Sequence, residues 1–204
     1  MIVSIFNDVI GPVMRGPSSS HCAAALRIGR LARDLMGGEI QDVLVEFDRH
    51  GSLPTTYESQ GSEMGLCGGL LGWDATDERL PEAREALRAV GVTLRIATVD
   101  SDDEHPNTYR LTLTRGKEQH RLRAISTGGG MVKVVAVNEF PVSIAGDYYE
   151  TLLWVEQADS DLLQRICDQF EADGVFLHAS EAGYLVEIKA QRWMDERSLA
   201  ELPL

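Results

Sequence analysis

At 204 residues the chain can hold one large domain or two small ones, and its 44% hydrophobic and 25% charged residues are those of an ordinary globular protein. A formal net charge of −13 argues against nucleic acid as a partner, because phosphate affinity needs clustered Lys and Arg. Cys22, Cys67 and Cys167 are odd in number, widely spaced and without a C-x-x-C pair, which argues against a disulfide framework and against a metal site built by this chain alone. No apolar run approaches the roughly 20 residues of a membrane span, and the N-terminus lacks the basic start and apolar centre of a signal peptide. The expected location is cytoplasmic, with no membrane partner.

In chain order, Ile2 to Phe6 reads as a short strand or an extended entry, punctuated by Gly11-Pro12 and Gly16-Pro17. Cys22 to about Met36 has helical periodicity. Ala24, Ile28, Leu31 and Leu35 share one face, Arg27, Arg30 and Arg33 follow another row, and Gly37-Gly38 ends the helix. Ser20 is the expected N-cap. Val43 to Phe47 alternates as a strand, and Gly51 to Gly61 is turn-rich. Met64 to Leu71 reads as a helix weakened by Gly65, Gly68 and Gly69, and Leu80 to Val90 as a second one. Val92 to Val99 is a strand, Ser101 to Thr108 a loop, and Tyr109 to Thr114 with His120 to Ile125 a hairpin. Ser126 to Gly130 is a glycine turn before the strand Met131 to Val137.

Composition shifts near Ala145-Gly146-Asp147. Beyond it, the pattern predicts a strand over Leu152 to Glu156 and a helix over Asp161 to Phe170. Strands over Val175 to His178 and Tyr184 to Lys189 follow, then a helix over Asp195 to Leu202. This β-α-β-β-α order is a ferredoxin-like unit without its last strand. The fold class expected for the whole is α+β, with a mixed-sheet domain over 1–146 and a smaller one over 150–204.

The densest chemistry is Gly16-Pro17-Ser18-Ser19-Ser20-His21 at a predicted helix start. A helix start leaves backbone N–H groups without partners and carries partial positive charge, so it seats a carboxylate or phosphate. Ser18, Ser19 and Ser20 are candidate anion-binding residues that serve as caps in either case, and His21 is a candidate proton carrier. His105, in the polar loop His105-Pro106-Asn107-Thr108, is a second candidate.

These residues carry a resemblance. Ser4-Ile5-Phe6, Ile10-Gly11-Pro12-Val13-Met14, Gly16 to His21, Arg27-Ile28-Gly29-Arg30, Gly51-Ser52-Leu53, Gly68-Gly69-Leu70-Leu71, Thr76-Asp77-Glu78-Arg79, His105 to Thr108 and Ser126 to Gly130 follow one another at family-like spacing. Together they resemble the beta chain of iron–sulfur-dependent L-serine dehydratase (L-serine ammonia-lyase) over about residues 1–146. The region after 150 resembles the ACT domain that ends such beta chains.

The resemblance implies elimination of water from L-serine to 2-aminoacrylate, which hydrolyses to pyruvate and ammonia. It places a [4Fe-4S] cluster on a separate alpha subunit, with no metal ligand on this chain. Partners so implied are that alpha subunit and a small hydroxy amino acid, and a homodimer of the beta chain is compatible with it. His21 and His105 become catalytic candidates, and Ser18, Ser19, Ser20, Gln60 and Asn107 substrate-binding ones. The family motif Gly-Lys-Gly-His-Gly-Thr-Asp is represented by Tyr57-Glu58-Ser59-Gln60-Gly61-Ser62-Glu63. Gln60 thus stands where a histidine is expected, and an amide has no usable basicity near pH 7. Cys22 stands where a threonine follows the histidine. The alternative expectation is a non-catalytic module that binds an amino acid or organic anion.

Overall fold

The computed structural model describes residues 12–194 and Leu199. The strand expected over Ile2 to Phe6 and nearly all of the helix expected over Asp195 to Leu202 lie outside the described residues. The chain divides into two compact units, Met1–Asn138 and Glu139–Leu204, and is α+β with a mixed sheet.

In the first unit the strands run in the order β2-β1-β3-β4-β5. They are β1 (Asp42–Asp48), β2 (Thr93–Val99), β3 (Thr108–Arg115), β4 (Glu118–Gly128) and β5 (Met131–Val137). β1 and β2 are parallel and the other neighbours antiparallel, which makes the sheet mixed. Alternation decides its faces. Val43, Val45, Phe47, Tyr109, Leu111, Leu113, Leu122 and Ala124 are buried on one side, with the Tyr109 ring edge-on to Phe47 at 5.3 Å.

Helices α1 (Ser19–Leu35), α2 (Ser62–Leu70) and α3 (Ala83–Ala89) complete the unit. α2 forms despite its glycines because tertiary contact overrides propensity. A Cβ on Gly69 would lie 2.1 Å from the Leu26 carbonyl oxygen, and one on Gly65 2.2 Å from that of Cys22. The glycines are what let the α1 and α2 backbones touch.

Three expectations need correction. α1 begins at Ser19 with Ser18 as N-cap, so the cap is not Ser20. The helix expected over Leu80 to Val90 is a 3₁₀ turn, Leu80–Glu82, followed by the shorter α3, because Pro81 shapes the first turn. β4 runs on through Gly128, so the glycine turn closes a longer hairpin with β5.

The second unit contains β6 (Phe140–Ile144), β7 (Tyr149–Val155), α4 (Ser160–Phe170), β8 (Gly174–Ser180) and β9 (Gly183–Ala190). β6 is an alternating strand that the sequence reading passed over because Pro141 interrupts its pattern. β9 lies between β7 and β8 and antiparallel to both, a split βαβ arrangement. Leu162, Ile166 and Phe170 of α4 pack on Val186 and Ile188. The Asp159 carboxylate caps α4 by accepting the Leu162 N–H at 2.8 Å, and Glu171 closes the helix in the left-handed region.

Candidate active site

The start of α1 is built differently from that of α4. Ser18 has the extended backbone of an N-cap, but its hydroxyl caps no backbone N–H. It is 2.8 Å from His21 Nδ1 instead. The hydroxyl is thus committed to the imidazole, and the opening N–H groups of α1 stay available to an anion. The pair also sets the ring's proton. With Ser18 donating, Nε2 carries the hydrogen; with Ser18 accepting from Nδ1–H, Nε2 is the basic nitrogen.

The turn before α2 closes against this helix start. The Ser18 N–H donates to the Gln60 carbonyl at 3.3 Å. Gly61 has φ +79, and a Cβ there would sit 3.0 Å from Pro17 Cδ, so the two loops touch where only glycine allows it. The Gln60 side-chain oxygen is buried with no hydrogen-bond partner among the described residues. Such an atom costs its desolvation until something donates to it, on the order of 1–3 kcal/mol.

Deeper in lie Ser62 and Tyr109, 1% and 0% exposed. Burial pushes the Tyr109 phenol up to about 12, and neither the Tyr109 nor the Ser62 hydroxyl has a hydrogen-bond partner among the described residues. The Glu63 carboxylate pairs with Arg84. On the other side the glycine turn abuts the helix. A Cβ on Gly130 would lie 3.2 Å from that of Ala23, and Arg27 donates to the Gly130 carbonyl at 3.3 Å. The glycines therefore serve a tight strand connection.

His105 and Asn107 belong to a second group, on the loop before β3. The Asn107 N–H donates to His105 Nδ1 at 3.1 Å, and Thr108 Oγ1 donates to the His105 carbonyl at 2.7 Å. The Ser52 hydroxyl donates to the Asn107 side-chain oxygen, and the Ser52 N–H to the Pro106 carbonyl at 2.9 Å. Beneath this loop, the Asp48 carboxylate accepts the N–H groups of His50 and Asp103, which hold it below the usual carboxylate range. β4 and the turn after it touch both groups: Ser126 N–H donates to the Asn107 carbonyl, and four residues on, Gly130 meets α1.

The structure therefore gathers Ser18, His21 and Gln60 by direct contact, and His105 with Asn107 beside Ser52. Ser19 is exposed and Ser20 half-buried in the first turn of α1. Sequence reasoning passed over Tyr109, whose strand reads as core, and gave Ser62 no role although it keeps the motif's hydroxyl. Only the fold buries these two hydroxyls.

Among the described residues no group of three His, Cys, Asp or Glu is arranged to hold a metal ion. Cys22 and Cys67 are buried, and burial pushes the Cys67 thiol up to about 12, the opposite of what a thiolate ligand requires. These residues do not fit a cluster held by this chain. No described helix is long and apolar enough to cross a membrane.

No family model matches the chain. Two curated proteins do. One is the "Probable L-serine dehydratase, beta chain" of Bacillus subtilis (strain 168), 41% identical over 145 residues, 71% of this chain and 64% of the relative. Another is the "L-serine dehydratase, beta chain" of Peptoniphilus asaccharolyticus, 33% identical over 149 residues, 72% of this chain and 66% of the relative. The chain thus spans just under two thirds of the length of the relatives it matches.

Proposed function

The chain belongs to the L-serine dehydratase beta-chain family as a divergent member, and on that premise we propose that it forms one side of an active site shared with an iron–sulfur alpha subunit. The proposed reaction removes water from L-serine or a related hydroxy amino acid. Loss of the α-proton and the β-hydroxyl leaves an enamine, which hydrolyses to a 2-oxo acid and ammonia. The observation that carries this reading is the α1 start, where Ser18 Oγ sits 2.8 Å from His21 Nδ1 and caps no backbone N–H.

In this reading the α1 N-terminus holds the substrate carboxylate. His21, with Nδ1–H donated to Ser18, presents Nε2 as the proton acceptor. The buried Gln60 amide oxygen accepts from the substrate ammonium, which its lack of any other partner supports. His105, fixed by the Asn107 N–H, serves as a second proton carrier, and Asn107 orients it. A [4Fe-4S] cluster, when bound on the alpha subunit, supplies Lewis-acid assistance at the hydroxyl. The second unit is proposed to be an ACT-like domain, on its split βαβ topology.

The test is reconstitution with an iron–sulfur alpha subunit without oxygen, followed by assay of 2-oxo acid release. Release from L-serine or another hydroxy amino acid, lost in His21→Ala, is the expected result. No release from any such substrate overturns it.

Gln60 at the histidine position favours a second reading, a module that binds an amino acid without turnover. Calorimetry would then detect binding with no product. A large gain of serine activity in Gln60→His would instead show an altered site rather than a retired one.

A further inference from the structure

The two units differ sharply in charge. Glu139–Leu204 holds 14 of the 32 acidic residues but only 4 of the 19 basic ones, a net of −10 against −3 for the rest. Within the first unit, the sheet face opposite the buried one gathers cations by register. Arg95, Leu44, Thr112 and Arg121 form one row across the strands. Ala97, Glu46, Arg110 and Arg123 form the next, and Lys133 pairs with Ile125 beyond it. Arg110 is held by Asp103, and Glu46 is the acid within these rows. Arg95, Arg121 and Arg123 are exposed and Lys133 is half-buried, and none of the four makes an ion pair among the described residues. That contrasts with Arg30, Arg49, Arg79, Arg84 and Arg115, each paired with a carboxylate.

The complementary surface is on α4. Asp161 and Asp168 are exposed seven residues apart on one helical stripe, flanked by exposed Glu156, Glu171 and Asp173. Arg165 is the single cation of that helix, and Arg192 pairs with Glu171.

We propose that the basic sheet face, through Arg95, Arg121, Arg123 and Lys133, docks on the acidic outer face of α4 in a second copy of this chain. Packing the basic face on itself would set like charges together, so charge selects the sheet of one copy against the helix of another. The proposal is independent of the functional reading above.

Sedimentation velocity at about 50 mM and about 500 mM sodium chloride tests it, because the screening length shrinks severalfold between them. The full chain is expected to dimerise at low salt and dissociate at high salt. Arg121→Glu/Arg123→Glu and Asp161→Lys/Asp168→Lys should each weaken dimerisation roughly tenfold or more. Mixing the two variants should restore it, because the reversed sheet of one then meets the reversed helix of the other; this recovery also shows that both variants fold. A monomer at low salt, a dimer indifferent to both reversals, or a mixture that fails to recover overturns the proposal. So does a variant that keeps its dimer and loses only its association with an alpha subunit.

Discussion

The two long helix starts of this protein solve one physical problem in opposite ways. Each leaves backbone N–H groups with no intrahelical acceptor. α4 satisfies one of them with the Asp159 carboxylate. α1 has a serine in the corresponding place but turns its hydroxyl to His21. The same contrast holds deeper down. In the second unit buried charges largely answer one another: Lys189 Nζ lies 2.7 Å from Glu150 Oε1 and 2.8 Å from Glu187 Oε1, and His178 Nε2 is 2.7 Å from Glu187 Oε2, while Glu150 Oε2 is left without a hydrogen-bond partner among the described residues. Beside the α1 start, the Gln60 side-chain oxygen has no such answer. A polar group that closes on the fold is structure. One left open at a helix end is suited to a ligand.

Breaking this contrast at its strongest point means removing His21. On the proposed function, His21→Ala lowers kcat of the reconstituted enzyme by roughly 10²–10⁴-fold. Its melting temperature should stay within a degree or two of the parent, since the ring is half-buried. A large loss of stability with unchanged kcat would reverse the assignment.

Next in size is the pH response of the second unit. Burial raises the Glu150 carboxyl from an ordinary 4.5 to about 7, outweighing the opposing hydrogen bond from Lys189, while Glu187 and Asp147 push the same way as burial. The folded chain therefore holds this proton more tightly than the unfolded one. The resulting stabilisation is fully present below about pH 4.5 and is lost as pH rises through about 7. The upper limit is roughly 3 kcal/mol. Denaturant titrations of the intact chain between those pH values should show the decline, and Glu150→Gln should flatten it.

Removing the α4 cap sharpens the comparison at smaller scale. Asp159→Ala should cost about 1 kcal/mol in urea titration and leave turnover untouched. The smallest effect belongs to Ser18→Ala. Because its hydroxyl caps no N–H, stability should change by less than about 0.5 kcal/mol. The pH dependence of kcat should shift nonetheless, since the hydrogen bond to Nδ1 is gone. A cap-sized loss of stability with an unmoved pH profile would make the two helix starts alike after all.

Much of this was legible from residue order. The alternation of Val43 to Phe47 and Met131 to Val137 marked strands closely. The periodicity from Cys22 marked α1, and the serine-histidine cluster before it marked the candidate site. Less legible was anything that depends on a distant neighbour. The glycines of α2 read as weakness, whereas they are the contact surface with Leu26 and Cys22. Tyr109 read as core, and only the fold buries its hydroxyl without a hydrogen-bond partner among the described residues. Ser20 read as the cap because spacing cannot say which of three serines turns toward a histidine.

What the sequence determined by itself was local: the kinds of elements, the α+β class, the acidic balance and the motif at Gly16 to His21. These follow from period, propensity and charge, which act between near neighbours along the chain. What only the tertiary structure decided was which groups end with a partner. Ser18 with His21, the Gln60 oxygen left open, and Arg121 and Arg123 aligned on one face depend on strands and turns far apart in sequence. Burial, which the chain acquires only on folding, sets the cost of leaving each of them alone.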